Sequence, residues 1–144
     1  MEKSTIFIIV IVVSIIIIAY ITREPNCSYG QYLSADRKRC INCPPGHFSM
    51  TLNTMACSPC PAGKYAANEG SLACDECPDN TVSEVGADKC VSCPTGLFAS
   101  GGASYCNKCE GGTYSVKEDG PCVKCQDGTV SAPGATKCVG CSIM

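Results

Sequence analysis

The sequence lacks tryptophan, has a single histidine, and has aromatic side chains at only 6% of its 144 residues. Large aliphatic side chains are scarce after residue 24, because much of the Ile and Val content lies between residues 5 and 22. A chain of this composition cannot bury enough apolar surface to offset the conformational entropy lost on folding. Covalent or metal crosslinks must therefore stabilise the portion after residue 24.

An excess of positive charge is also missing. From residue 24 onward the chain carries nine Lys and Arg against twelve Asp and Glu, so no basic surface predicts nucleic acid binding. His47 has no Ser or Asp partner in a recognisable pattern, and the sequence contains no glycine loop of the kind that binds phosphate. We therefore expect a non-enzymatic protein without a cofactor, a nucleic acid partner or a small-molecule substrate.

One long apolar run is present at residues 5–22, and it contains no charged side chain. As a helix it extends about 27 Å, which predicts a transmembrane helix after a short N-terminal tail at 1–4 and before a juxtamembrane linker at 23–26. Lys3, Arg23 and Tyr20 suit the two membrane surfaces. The alternatives are a cleaved signal peptide and a buried helix, but the run is long for a signal core and no small-residue cleavage site follows it.

Cysteine is the residue that the chain has in excess, with fifteen copies at a period of 16 or 17 residues. Each unit opens and closes on a cysteine, and two residues separate a closing cysteine from the next opening one. The region 27–141 thus contains seven modules, which we number one to seven in chain order: 27–40, 43–57, 60–74, 77–90, 93–106, 109–122 and 125–138. A C-terminal tail follows at 142–144. So regular a repeat predicts stacked units that contact mainly their neighbours.

Each module carries the same turn chemistry. Proline follows the opening cysteine in four modules. The third residue after the opening cysteine is glycine in every module except module four, where it is Asn80. Since Asn tolerates a positive φ better than other residues with side chains, this position predicts a left-handed turn. Two residues further on stand side chains suited to a short strand and a small core: Tyr32, Phe48, Tyr65, Val82, Phe98, Tyr114 and Val130.

A second turn is indicated four residues before most closing cysteines. The residues there are Asp36, Asn53, Gly70, Gly86, Gly102, Glu118 and Gly134, of which Glu118 is the departure. The pattern predicts a first turn, a short strand, a second turn and a short return strand in every module.

These motifs resemble a known family. Cys-Pro-x-Gly-x-(Phe/Tyr)-(Ser/Ala), running to a cysteine and then Cys-x-x-Cys, is similar to the ephrin-receptor-like cysteine-rich repeats and to the single-disulfide module of tumour-necrosis-factor-receptor ectodomains. The resemblance covers Cys27 to Cys141 and implies an elongated extracellular rod that serves as a spacer and contacts other proteins. The N-terminal anchor and the lack of a cytoplasmic signalling domain depart from the receptor pattern.

On the module interpretation, each opening cysteine forms a disulfide with the closing cysteine of its own module. The pairs are Cys27 with Cys40, Cys43 with Cys57, Cys60 with Cys74, Cys77 with Cys90, Cys93 with Cys106, Cys109 with Cys122, and Cys125 with Cys138. Each bond closes a loop of the chain and, by lowering the entropy of the unfolded state, should stabilise the folded state by roughly 3 kcal/mol. Cys141 is left unpaired, as a free thiol or for an intermolecular disulfide.

Two other uses of Cys-x-x-Cys stay open. Cys57, Cys60, Cys74 and Cys77 have acceptable spacing for zinc, although seven such pairs do not divide into sites of four ligands. A redox motif would need a nearby base or helix terminus that activates a thiolate, and the sequence indicates neither. The expected metal content is therefore none, with a zinc-binding array as an alternative.

The fold class expected is a small disulfide-rich repeat protein: an elongated rod of seven short-strand and turn modules behind one N-terminal transmembrane α-helix. The function expected is a membrane-anchored structural spacer that contacts capsid or coat proteins, and the alternative is a receptor or decoy ectodomain that binds a protein ligand. The basic residues Arg23 and Arg37–Arg39 favour a cytosolic rod, whereas disulfides favour an oxidising compartment. A large DNA virus could reconcile the two, with the rod inside the virion between inner membrane and capsid.

Overall fold

The computed structural model describes residues 2–21, 25–118 and 120–140. One helix, α1, runs Glu2–Ile21, and its described side chains extend from Thr5 to Tyr20. The prediction of a transmembrane helix at 5–22 is wrong: among the described residues, no helix has the length and apolar character that crossing a membrane requires. The membrane partner inferred from this helix has no support in the structure.

Seven two-stranded antiparallel hairpins follow the helix, one for each module. The first strand of every hairpin contains the residue of the strand-forming row, for example Tyr65, which pairs with Asp75. The strands are β1 Gln31–Leu33, β2 Cys40–Asn42, β3 His47–Phe48, β4 Ser58–Pro59, β5 Lys64–Tyr65, β6 Asp75–Glu76, β7 Thr81–Val82, β8 Val91–Ser92, β9 Leu97–Phe98, β10 Asn107–Lys108, β11 Thr113–Tyr114, β12 Val123–Lys124, β13 Thr129–Val130 and β14 Val139–Gly140. The prediction of small disulfide-rich hairpin modules, seven in number, is confirmed.

The return strands lie later than the sequence pattern placed them. In modules two to seven they are the two residues between a closing cysteine and the next opening one, and in module one the strand begins on Cys40 itself. The disulfide fixes the closing cysteine beside the opening one, so the chain that leaves it runs back along the first strand. Each hairpin therefore bridges two modules, and the linking residues of Cys-x-x-Cys are structured.

The left-handed first turn is confirmed in all seven modules. Asn80 has φ 61°, and the six glycines at the same position have φ between 74° and 84°. At the second turn, Asn53 and the four predicted glycines also have positive φ, whereas in module one the positive φ falls on Arg37 and not on Asp36. An L residue other than Asn or Asp is costly in this region, which explains the recurrence of glycine.

Seven disulfides close the modules: Cys27–Cys40, Cys43–Cys57, Cys60–Cys74, Cys77–Cys90, Cys93–Cys106, Cys109–Cys122 and Cys125–Cys138. The Cα atoms of each pair are 5.3 to 5.8 Å apart, within the normal range for a disulfide. These are the pairs of the module interpretation. Cys141 and the tail at 142–144 lie outside the described residues.

The buried interior is made of sulfur and small side chains, apart from Leu33 in module one. The opening cysteines of modules one to six are buried, together with the residue that follows the strand-forming row, which is serine or alanine in modules two to six. The predicted core residues are only half-buried, and Val130 is exposed.

Backbone hydrogen bonds join each module to the next. The amide of Gly46 donates to the carbonyl of Ala66, at 2.8 Å, and its carbonyl accepts from the amide of Cys60, at 2.8 Å. The amide of Gly86 donates to the carbonyl of Cys60, also at 2.8 Å. The first two bonds recur at all six junctions between the described modules, and the third recurs at five of them. The stack is thus a ladder in which the turn residues of one module are satisfied by its neighbour.

Modules two positions apart also touch. A Cβ atom on Gly63 of module three would lie closer than 3.0 Å to the carbonyl oxygen of Gly102 in module five. The same clash would arise for Gly30 with Gly70, Gly46 with Gly86, and Gly96 with Gly134. The first-turn glycines are therefore required twice, for their φ and for this close approach.

Module four has Asn80 in place of the first-turn glycine. Module six, two places further along, is the module whose second turn differs from the others. In module six the amide of Gly120 donates to the carbonyl of Lys117, at 3.3 Å, and closes this turn. The donor stands two residues before the closing cysteine, whereas in modules four, five and seven it stands three residues before it. Asn80, Phe98 and Pro121 line an open groove there. The two departures from the repeat thus line the same groove.

Candidate protein-interaction surface

The loop of module two between β3 and β4 exposes three large apolar side chains. Met50, Leu52 and Met55 are 66%, 55% and 52% exposed. Exposed apolar side chains in a cluster are typical of protein interfaces, and methionine adapts its shape to a partner. We call these three residues, together with Leu72, the apolar surface.

Polar residues of the same loop hold its backbone. The Ser49 hydroxyl donates to the carbonyl of Thr51, at 3.1 Å, and the Thr54 hydroxyl donates to the carbonyl of Ala56, at 2.7 Å. Asn53 adopts φ 55°, and its amide donates to the carbonyl of Cys27 in module one. Because the polar groups of the loop bond inward, its apolar side chains are directed outward.

Leu72 adds an exposed apolar side chain from module three. It is 55% exposed and stands two residues before its closing cysteine, the position that Met55 occupies in module two. A Cδ atom of Leu72 lies 3.2 Å from where a Cβ on Gly30 would stand, and Tyr29, which is 55% exposed, precedes that glycine. Leu72 of module three therefore lies against the first turn of module one.

The three members of the apolar surface in module two lie on an uncharged stretch of chain. Residues 40–63 contain no Asp, Glu, Lys or Arg. Beyond one end of that stretch stand Arg37, Lys38 and Arg39, and beyond the other Lys64 forms an exposed ion pair with Glu76, at 3.1 Å. The centre of a protein-binding surface is likewise depleted of charged residues.

The basic cluster of module one is part of a turn. The Ser34 hydroxyl and the amide of Lys38 both donate to the Asp36 carboxylate, and these bonds, the serine bond first, lower the pKa of Asp36 below 3.8. Nearby Arg39 and Lys38 act in the same direction more weakly. The cluster is thus organised by one carboxylate, as expected of a solvated turn.

His47 and Asn26 contact residues of other modules. Nδ1 of His47 lies 3.3 Å from the carbonyl oxygen of Pro45, and its Cε1 lies 3.8 Å from the Cβ position of Gly86 in module four. The side-chain oxygen of Asn26 accepts a hydrogen bond from Asn53, at 2.8 Å. These contacts place both side chains between modules.

The cysteines of the zinc alternative are all oxidised. Zinc is bound by thiolates, whereas the fourteen described cysteines form seven disulfides, and the two cysteines of every described Cys-x-x-Cys belong to different bonds. Among the residues that the structure describes, no cluster of His, Cys, Asp and Glu could hold a metal ion.

Sequence reasoning did not identify the apolar surface. The available signal was the absence of charge from residues 40–63 combined with large aliphatic side chains between Met50 and Met55. The contact between modules one and three, which adds Leu72, left no local signal in the sequence.

A family described as tyrosine-protein kinase ephrin type A/B receptor-like matches residues 50–85. The match begins in module two, includes module three, and ends in module four, so it contains the whole apolar surface. No curated protein matches the chain. The modules are similar to ephrin-receptor-like repeats over this segment, which supports the resemblance seen in the sequence. Such cysteine-rich modules indicate protein interaction in an oxidising, extracellular or secreted environment.

Proposed function

We propose that the chain is a stiff, non-enzymatic spacer that binds a protein ligand through the apolar surface. Its stiffness comes from the disulfide in each module and from the backbone ladder between modules. The observation that carries the proposal is that the ephrin-receptor-like match at 50–85 contains Met50, Leu52, Met55 and Leu72. Receptor-like ligand binding is therefore favoured over a purely structural role.

A virion component that links an inner membrane to a capsid was the other expected function. That bridge required the anchor at 5–22, which the structure contradicts. We propose no membrane link, and a coat protein is one class of partner among those that the experiment compares.

The experiment measures binding of the oxidised chain, immobilised on a sensor, to a panel of extracellular receptor ectodomains, soluble protein ligands and coat proteins. The test variant replaces Met50, Leu52 and Met55 by glutamate. The matched control replaces three exposed valines by glutamate, one in module six and two in the return strands that follow modules six and seven: Val116, Val123 and Val139, which are 63%, 49% and 53% exposed. Both variants add the same charge, and circular dichroism checks that both fold.

We expect a partner whose affinity falls at least ~30-fold with the test variant, the effect of losing about 2 kcal/mol from an interface centre. The control should stay within about twofold of the unmodified chain, since single exposed valines elsewhere carry little binding energy. A partner that is lost equally with both variants, or with neither, would contradict the assignment of the apolar surface. A panel without any partner that requires the oxidised chain would contradict the proposed function itself.

A further inference from the structure

The two ends of each disulfide differ in exposure. In modules one to six every opening cysteine is at most 1% exposed, whereas its closing partner is half-buried. The enclosed residues are Cys27, Cys43, Cys60, Cys77, Cys93 and Cys109, and the half-buried ones are Cys40, Cys57, Cys74, Cys90, Cys106 and Cys122. In these six disulfides, therefore, the more exposed residue is the closing cysteine and never the opening one.

The ladder between modules causes the difference. The amide of Cys43 donates to the carbonyl of Gly30 in module one, and its carbonyl accepts from the amide of Gly70 in module three, both at 2.8 Å. Backbone from both neighbouring modules thus encloses the opening cysteine. The closing cysteine, Cys57, stands where the chain leaves its module, before the exposed return strand β4.

Thiol–disulfide exchange distinguishes the two sulfurs. An external thiolate attacks one sulfur of a disulfide and displaces the other, and its rate depends on access to the attacked sulfur. A residue that is 0% exposed, such as Cys43, offers no sulfur surface to a thiolate while the module stays folded. We infer that exchange on the folded chain takes place at the closing cysteines, which makes them sites of S-thiolation by small thiols such as glutathione.

The step conserves atoms and electrons. The attacking thiolate forms a bond to Sγ of Cys57, the bond between Sγ of Cys57 and Sγ of Cys43 breaks, and its electron pair leaves on Sγ of Cys43. The products are a mixed disulfide on the closing cysteine and a buried thiolate on the opening one. Burial disfavours that thiolate, and its attack back on the mixed disulfide restores the original bond.

The reverse of this exchange, formation of the disulfide, points to an oxidising enzyme as a partner. A thiol–disulfide oxidoreductase that forms these bonds on a folded module would be joined covalently to the closing cysteine, and the opening cysteine would release it. The same six positions therefore serve the small thiol and the oxidising enzyme, because both reach the disulfide from its open side.

Module seven supplies an internal control. Cys125 and Cys138 are both half-buried, since no described module covers Cys125. Exchange at this bond should show little preference between the two sulfurs, whereas the other six should be strongly selective.

The test exposes the folded, unmodified chain to reduced glutathione until about a tenth of the disulfides has reacted, so that little secondary exchange occurs. Acid quenching, alkylation with N-ethylmaleimide and proteolytic mass mapping then identify which cysteine carries each group. For modules one to six we expect glutathione on the closing cysteine and the maleimide on the opening one, with a preference of at least ~10-fold. In module seven the preference should be less than about threefold.

A parallel sample in guanidinium chloride separates fold from local sequence. Unfolding exposes both sulfurs, so the preference in modules one to six should fall to that of module seven. Glutathione found as often on the opening cysteines of the folded chain overturns the inference. So does a folded chain whose closing cysteines in modules one to six remain unmodified while module seven reacts.

Discussion

The close approach between alternate modules can be tested by adding one methyl group. Gly63 and Gly112 occupy the same position in modules three and six, with φ of 83° and 84°. A Cβ on Gly63 would overlap the carbonyl oxygen of Gly102, whereas a Cβ on Gly112 would meet no atom within 4 Å. Gly63→Ala and Gly112→Ala therefore share the backbone strain and differ only in the clash.

The expected magnitudes follow from these two terms. A residue with a side chain in the left-handed region costs about 1–2 kcal/mol, so Gly112→Ala should lower the free energy of unfolding by that amount. Gly63→Ala adds an overpacking term of about 1–3 kcal/mol, because the obstructing atom is backbone and cannot rotate away. The difference between the two variants measures the contact between modules three and five.

The assay is guanidinium chloride unfolding of the disulfide-intact chains, followed by circular dichroism. Hydrogen exchange should show the local consequence: the amide of Gly102, which donates to the carbonyl of Cys77 at 2.9 Å, should lose protection in Gly63→Ala and keep it in Gly112→Ala. Equal losses of unfolding free energy in the two variants would refute the reasoning. The first-turn glycines would then be required for φ alone.

Three further predictions concern single side chains. Asn80→Ala should cost roughly 0.5–1 kcal/mol in chemical denaturation, because alanine tolerates φ 61° less well, whereas Asn80→Gly should be no less stable than the unmodified chain. Ser83→Ala should cost about 1 kcal/mol in the same assay, since the buried hydroxyl donates to a carbonyl of module three at 2.9 Å, and Ala66 at the equivalent position shows that the methyl group fits. Because the pKa of Asp36 is lowered, its contribution to the first-module turn is present above 3.8 and is lost as the pH falls through the lowered value. A carbon NMR titration should find the Asp36 midpoint below 3.8, and Ser34→Ala should raise it; an unchanged midpoint would contradict the assigned cause.

The modules themselves could be predicted because their determinants are local. The spacing of cysteines defines each closed loop, and the presence of Asn80 among six glycines identifies a required positive φ. The return strands were misplaced because two residues between cysteines carry no strand pattern of their own. Their conformation follows from the disulfide and the ladder, which only the folded chain contains.

Contacts between modules could not be predicted from the sequence, because the residues that make them are distant along the chain. Gly30 and Gly70 are far apart along the chain, and each glycine has a sufficient local explanation in its own turn. The clash that requires Gly30 a second time appears only once modules one and three are placed together. The composition of the interior was misjudged as well, since the strand-forming row predicts a core but the buried residues of modules two to six are the opening cysteines and the serines and alanines after that row.

The contact across two modules limits how the number of repeats can change during evolution. If module five were deleted, Asn80 would face the turn of Gly134, and its side chain would stand where the intact chain accepts only glycine. Duplication of module five would set Asn80 against a second copy of the Gly102 turn, with the same result. The array can gain or lose units near its start, but modules four, five and six must be inherited together.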